Sequence, residues 1–229
     1  MSRPPRPPLL SWDLSLPEAI AAQRRCAARV IKQRTFGEVH RIAGVDVGFP
    51  GGVTRAAIAV MSFPQLELID VARVDRPTSF PYIPGLLSFR EAPAVIAAYE
   101  ALHIKPDLLI VDGQGLAHPR RFGIACHVGV WLDVPTIGSA KSLLVGRHGP
   151  LGMERGATAP LVDHGEVNGE VIGMAVRTRA GVKPLYVSIG HRIDLPTAVE
   201  FVLACCTRYR LPEPQRAAHH AAGRADGEP

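Results

Sequence analysis

Two aspartates stand at the ends of apolar runs that are typical of buried β-strands. Asp46 lies near the end of the run 41–47 (RIAGVDV), and Asp112 directly follows the run 107–111 (DLLIV). Turn chemistry is the ordinary explanation for either aspartate alone, because glycine follows each within two residues. A carboxylate desolvated at an interior strand end requires a cation, however, and two such ends can lie side by side in a mixed sheet. The pair therefore predicts a divalent metal site.

Glu91 is a third candidate carboxylate, located at the opening of a predicted helix. Taken alone, it is typical of an acid in the first turn that complements the helix dipole. Together with Asp46 and Asp112 it would complete an oxygen-rich site suited to Mg²⁺ or Mn²⁺. The three acids are therefore predicted to act together.

Three further segments carry basic side chains that could contact a phosphate group. The loop 113–123 has glycines, which let a backbone approach a ligand, and it contributes His118 and Arg120 as donors. Lys141 follows a short apolar run, where it could be a fixed cation beside a scissile phosphate or a solvated surface lysine. His191 follows another apolar run, where it could be a core imidazole, a ligand or a proton carrier.

The segment 80–85 (FPYIPG) predicts a stiff turn that carries an aromatic ring. Pro81 and Pro84 restrict the backbone and Gly85 releases it. Tyr82 at the tip could insert into a base stack and hold open the gap left by an extruded base. The structural alternative is a tight loop whose Tyr82 ring packs on its own domain.

The hydrophobic pattern predicts how these residues are positioned. Three strand signals with short turns form an antiparallel meander, after which strands alternate with helices. The predicted strands are 41–47, 54–62, 66–74, 107–111, 134–138, 171–178 and 185–189, and the predicted helices are 16–34, 89–104, 122–132 and 194–209. This order predicts an α/β fold of the ribonuclease H-like kind, a mixed β-sheet flanked by helices, with a plain doubly wound sheet as the competing interpretation.

Length and composition indicate one globular domain. The chain has 229 residues, of which 47% are hydrophobic and 21% are charged. We expect a single domain over 13–214, a disordered Pro-rich leader over 1–12 and a disordered tail over 215–229. The four cysteines include no C-x-x-C pair and predict neither a zinc site nor a disulfide.

Charge and targeting signals narrow the class of partner. A net charge of +5 and a sequence pI near 9.3 fit a nucleic-acid partner. The first ten residues have no apolar core of a signal peptide, and no apolar run approaches the length of a membrane span. The sequence therefore predicts a cytoplasmic protein without a membrane partner, and a monomer because nothing indicates a self-complementary face.

The motifs taken together closely resemble the endonuclease V family. They occur in the family's order and cover most of residues 40–214. The matching stretches are GVDVGF at 44–49, PYIPGLLSFRE at 81–91, PDLLIVDGQGLAHPRRFGIACHVG at 106–129, DVPTIGSAK at 133–141, GHR at 190–192 and YRLPEP at 209–214. The departures are Gln114 where the family often has His, Cys126 where Ser is common, and Ser139 for the more usual Val.

The resemblance implies three groups of site residues. The catalytic group is Asp46, Glu91, Asp112, Lys141 and His191, of which the three acids would bind Mg²⁺, with Mn²⁺ as a possible substitute, and His191 would take the fourth acidic or His position. The group that contacts DNA, with Tyr82 at the tip of the wedge, is Tyr82, Ile83, Pro84, Gly85, His118 and Arg120. The pocket for a flipped base is Gly85, Gly113 and Ala140.

The activity implied by the resemblance is hydrolysis of DNA close to a deaminated base such as hypoxanthine. The cut would fall at the second phosphodiester bond 3′ to the lesion and leave a 3′-hydroxyl and a 5′-phosphate. Two alternatives within this site are an endoribonuclease specific for inosine and a protein that binds the lesion without cutting. Junction resolvases and the incision domain of excision repair share the predicted fold, but the PYIPG and HPRR segments argue against both.

Overall fold

The computed structural model describes residues 12–163 and 169–223, and in this part of the chain five α-helices accompany eight strands. The strands are β1 Arg41–Gly48, β2 Val53–Ser62, β3 Leu68–Pro77, β4 Leu108–Val111, β5 Thr136–Ala140, β6 Thr158–Asp163, β7 Glu170–Val176 and β8 Leu185–His191. The helices are α1 Leu16–Ala27, α2 Leu87–Ala101, α3 Ile124–Leu132, α4 Leu195–Ala204 and α5 Glu213–Gly223. None of the helices described is long and apolar enough to span a membrane.

All eight strands form one mixed sheet in the order β3-β2-β1-β4-β5-β8-β7-β6. The meander β1-β2-β3 is antiparallel, β1, β4 and β5 run parallel to one another, and β8 returns antiparallel to β5. This confirms the predicted mixed sheet. Strand β6 was not predicted; it lies at the edge of the sheet and contains Pro160, a residue tolerated only at such positions.

The sheet packs helices on both faces, because alternate residues of its strands point to opposite sides. One core layer combines Ala43 and Val45 of β1 with apolar residues of α2 and α3. The other combines Ile42 of β1 with β4, β8 and α4. Helix α1 is shorter than predicted: beyond Ala27 the chain leaves the helix, and the backbone of Ile31 bonds to Arg192 at the end of β8.

Helix α5 occupies part of the segment that was predicted to be a disordered tail. That prediction is wrong for 215–223, whereas 224–229 lie outside the described residues. The helix packs directly on β1. Its Pro214 backbone is so near Gly44 that a Cβ added to Gly44 would lie only 2.1 Å from it. Gln215 and Ala218 are completely buried as a result. The signal that could have indicated this helix is Pro near its first turn with alanine-rich sequence ending at glycine.

Trp12 was assigned to the predicted disordered leader, but it packs into the domain. Its ring stacks on His127, with centroids 5.0 Å apart, and lies 4.7 Å from the ring of Trp131. Residues 1–11 lie outside the described part of the chain. The domain therefore includes Trp12, which closes an aromatic cluster over helix α3.

His127 at the centre of this cluster makes stability depend on pH. Complete burial lowers its pKa from 6.5 to about 3, while its Nδ1 shares a hydrogen bond of 2.9 Å with the Ser88 hydroxyl. Below about pH 6.5 the unfolded chain takes up a proton at this histidine that the folded protein excludes. The free energy of unfolding therefore decreases as pH falls. We expect wild type to lose about 2 kcal/mol more unfolding free energy than His127→Gln between pH 7 and 5.

Urea unfolding at the two pH values measures this difference directly. His103→Gln is the matched control for removing a histidine, because the His103 side chain is 92% exposed and lies 3.9 Å from Asp70 at the surface instead of in the core. Equal slopes for wild type and His127→Gln would show that His127 is protonated in the folded protein.

Candidate active site

The two predicted aspartates lie next to each other at the carboxyl ends of neighbouring strands, as expected. Strands β1 and β4 are parallel with Val45 opposite Val111, so Asp46 and Asp112 occupy adjacent positions at their carboxyl ends. The Asp112 N–H donates to the Val45 carbonyl at 2.9 Å, which extends the pairing by one residue. Both aspartates are largely buried, with 8% of Asp46 and 15% of the Asp112 side chain exposed.

Glu91 joins them from the first turns of α2. Burial, followed by the charges of Asp112 and Asp46, raises the pKa of Glu91 to about 8. Burial also raises the pKa of Asp112 to about 6, although the Lys141 ammonium acts in the opposite direction. Carboxylates that raise one another's pKa in a desolvated site favour a cation between them. The structure thus brings together the three acids that were predicted from the sequence.

Two basic groups already contact these acids. Lys141, immediately after β5, donates a hydrogen bond to Asp112 Oδ2. His219 of α5 places its Nδ1 2.7 Å from Asp46 Oδ2. Within the residues that the structure describes, no three carboxylate, imidazole or thiol groups stand at metal-ligand spacing, and each aspartate has one oxygen engaged by a basic group. The donor set nevertheless fits a hard divalent cation, because it consists of buried carboxylate oxygens.

His219 is a site residue that the sequence analysis missed, since it lay in the predicted disordered tail. His191, predicted instead as the fourth residue of the site, is at the wrong end of the sheet. It pairs with Thr136 at the start of β5, whereas the acids lie near the end of that strand. Its Nδ1 accepts from the Ile31 N–H at 3.2 Å and its Nε2 faces Asp133, so it is a structural imidazole. The prediction for His191 is therefore wrong.

A pocket of about 370 Å³ opens beside the acids. Its lining joins the predicted base pocket to the catalytic group, and the predicted residues along it are Tyr82, Pro84, Gly85, Glu91, Asp112, Gly113, His118, Ala140 and Lys141. Leu143 and Leu144 form part of its wall and were not predicted. The pocket is therefore continuous from the Tyr82 turn to the carboxylates.

The two glycines of the pocket have conformations that other residues rarely adopt. Gly113 has a φ of +150°, and a Cβ there would lie 2.6 Å from the Ile124 side chain. Gly85 has a φ of +79°, and a Cβ there would lie 2.9 Å from Arg120. Side chains at these positions would strain the backbone and crowd the pocket wall. The pocket thus presents backbone at both places.

His118 and Arg120 were predicted as phosphate donors, but in this structure both bind protein. His118 Nε2 lies 2.9 Å from the Gly85 carbonyl, and Arg120 also donates to that carbonyl. Burial lowers the pKa of His118 to about 4, so its ring is neutral at pH 7. The neighbouring Arg121 pairs with Asp163 and Glu170. The basic loop therefore braces the Tyr82 turn.

Tyr82 itself projects into solvent. Its exposed fraction is 68%, which excludes the alternative that its ring packs on its own domain. Ile83 packs at the edge of a small cluster with Phe80 and Phe89, which fixes the base of the turn. A large aromatic ring is thus held outward at the rim of the pocket.

Known proteins resemble this chain closely. The sequence profile of the Endonuclease V family matches residues 24–220. An endonuclease V from Roseiflexus castenholzii is 55% identical over 207 residues, which cover 90% of this chain and 91% of that protein. The structure of the endonuclease V from Streptomyces avermitilis superimposes with a TM-score of 0.86 at 41% identity and covers 93% of each chain.

A third relative was solved with nucleic acid. The Ciona intestinalis endonuclease V (D234N) was crystallised in complex with a 23mer DNA containing an inosine followed by a ribo-adenosine. It is 25% identical to this chain with a TM-score of 0.79, and the match covers 90% of this chain and 95% of that one. These similarities confirm the predicted ribonuclease H-like fold and the resemblance seen in the motifs. The chain belongs to the endonuclease V family and is a nuclease.

Proposed function

We propose that this nuclease recognises deaminated bases, foremost hypoxanthine, in DNA and hydrolyses the second phosphodiester bond 3′ to the lesion. The observation that carries this proposal is the continuity of the pocket, which has the exposed Tyr82 at its rim and Glu91 and Asp112 on its wall. An extruded base and a scissile phosphate can therefore be bound at different places in one site. The inosine-containing complex of the Ciona relative supports this choice of lesion.

The acids suit a divalent ion, which we propose to be Mg²⁺ with Mn²⁺ as a substitute. Asp46, Asp112 and Glu91 would hold it, and His219 would keep the Asp46 carboxylate oriented through their hydrogen bond. When bound, such an ion supplies activation of a water and stabilises the charge on the leaving oxygen. Cleavage by this route leaves a 3′-hydroxyl and a 5′-phosphate.

The remaining groups bind and orient the nucleic acid. Lys141 stands beside Asp112 at the pocket wall, where its ammonium can neutralise a backbone phosphate. Gly85 and Gly113 present backbone at the pocket wall, so we infer that the extruded base is read by backbone contacts and shape. The Tyr82 ring would fill the gap that the base leaves in the stack. A cut displaced from the lesion requires that the extruded base and the scissile phosphate occupy different parts of this pocket.

Gel-resolved cleavage of an end-labelled duplex with one deoxyinosine tests the proposal. We expect a single Mg²⁺-dependent nick at the second phosphodiester bond 3′ to the inosine, no nick in EDTA, and no nick in the unmodified duplex. Cleavage of inosine RNA but not of this duplex would show that the substrate is RNA instead of DNA. Binding of the duplex without cleavage of either substrate would refute the nuclease mechanism.

A further inference from the structure

Gln23 of helix α1 is a buried polar residue that no part of the site so far has used. Only 1% of it is exposed. Its Nε2 donates to the Gly85 carbonyl at 3.1 Å and to the Phe122 carbonyl at 3.2 Å, and its Oε1 accepts from Arg120 Nε. One side chain thus joins helix α1, the Tyr82 turn and the loop after β4, which are far apart in the sequence.

The Gly85 carbonyl is where these contacts converge. It accepts from Gln23, His118 and Arg120, which come from two separate segments of the chain. Within 12–163 and 169–223, Arg120 forms no ion pair, so its guanidinium is oriented by the Gln23 amide and by this carbonyl. Removing Gln23 would leave Arg120 Nε without its acceptor and free one side of the carbonyl.

The position of Tyr82 depends on what holds the two ends of its turn. On one side, Phe80 is buried against Phe89 with ring centroids 5.6 Å apart. On the other side, Gly85 lies in an unusual conformation and its carbonyl makes the contacts described above. Since the Tyr82 ring is mostly in solvent, its placement is set by these anchors rather than by contacts of its own.

We propose that Gln23 is a positioning residue for lesion recognition: by holding Gly85 and Arg120, it fixes the turn that presents Tyr82. The inference rests on the proposed function, because it takes Tyr82 to be the group that fills the base stack. Gln23 lies outside the motifs that carry the family resemblance, and it touches none of the three acids. It therefore governs how selectively the nuclease acts and leaves the chemical step unchanged.

Gln23→Met tests the inference, because methionine keeps the volume of the side chain and removes its hydrogen bonds. We expect the ratio of kcat/KM for a deoxyinosine duplex over an unmodified duplex to fall about tenfold, the size of effect produced by losing a buried hydrogen-bonding group. The kcat on the deoxyinosine duplex should stay within about threefold of wild type. In the free protein, hydrogen exchange of a peptide covering 80–87 should become faster.

Two further variants separate positioning from general stability. Cys26→Ala truncates a buried side chain of the same helix, one that packs against Leu116 and Phe122. It should leave both the selectivity ratio and the hydrogen exchange of 80–87 unchanged. In Tyr82→Ala, adding Gln23→Met should lower the ratio by less than about twofold more, because both act through one ring. Fully multiplicative losses, or a Gln23→Met protein with wild-type selectivity and exchange, would overturn the inference. A wild-type protein that does not prefer deoxyinosine would instead refute the proposed function, while the exchange measurement would still decide whether Gln23 holds the turn.

Discussion

Replacing Asp112 by asparagine is expected to lower cleavage of a deoxyinosine duplex by at least about a thousandfold, the scale on which preorganised charge contributes to such reactions. Asparagine keeps the size of the side chain and removes the charge that a divalent ion requires. The same result is expected for Asp46→Asn, since both side chains lie at the carboxyl ends of paired parallel strands. Single-turnover cleavage at saturating Mg²⁺ measures the effect.

Binding should survive the same substitution. Asp112 lines the same pocket as Tyr82 but is not part of the turn that carries Tyr82, and removing its negative charge lowers the repulsion of a backbone phosphate. We therefore expect the Kd for the deoxyinosine duplex to stay equal or to decrease. Stability should not fall either, because burial already raises the pKa of this carboxyl. Glu200→Gln, a change at an exposed acid of α4, is the control for loss of charge alone. Metal-dependent nicking that persists in Asp112→Asn would show that the acids are not the catalytic centre.

Replacing Gly44 by alanine is expected to destabilise the protein by about 3 kcal/mol, the upper range for overpacking a core. A Cβ at this position would lie 2.1 Å from the Pro214 backbone and 2.3 Å from the Gln215 nitrogen, and neither is the end of a flexible side chain. Helix α5 must therefore move away from β1. Because α5 carries His219, the contact with Asp46 is lost, and we expect cleavage to fall at least about tenfold.

Gly48→Ala is the matched control for this change. It adds the same methyl group to the same strand, but its nearest neighbours are the Ala222 carbonyl at 3.8 Å and Pro50 Cδ at 3.9 Å. We expect a lower unfolding temperature and faster hydrogen exchange of α5 in Gly44→Ala, and little change of either in Gly48→Ala. Comparable stability in the two variants would mean that α5 can retreat from the sheet at little cost.

The sequence was informative where chemistry and local pattern coincide. Asp46 and Asp112 each end an apolar run, and parallel pairing of two such runs necessarily places the acids together. Glu91 could be added because it opens the helix that crosses to the second strand. These residues were predictable because strand ends and helix starts are local features of the sequence. The one further assumption needed was that the two strands pair in parallel.

The errors concern features that only tertiary contacts decide. His191 and His219 are both histidines beside plausible elements, and the direction of β8 alone places one of them far from the acids. Helix α5 has mostly small and polar residues, so its burial depends on the missing side chain of Gly44. Gln23 gave no signal either, because a glutamine inside an alanine-rich helix is typical of a solvated face.

The contact between His219 and Asp46 joins residues 173 positions apart. Proteins are synthesised from the amino terminus at about 5–20 residues per second, and earlier segments begin to fold while later ones are still being made. Strand β1 can therefore pair with β2 and β4 well before α5 exists, but the face of β1 that carries Gly44 and Asp46 stays uncovered until then. We therefore expect the nascent chain to complete its nuclease centre last, because Asp46 has no contact with His219 until α5 has formed.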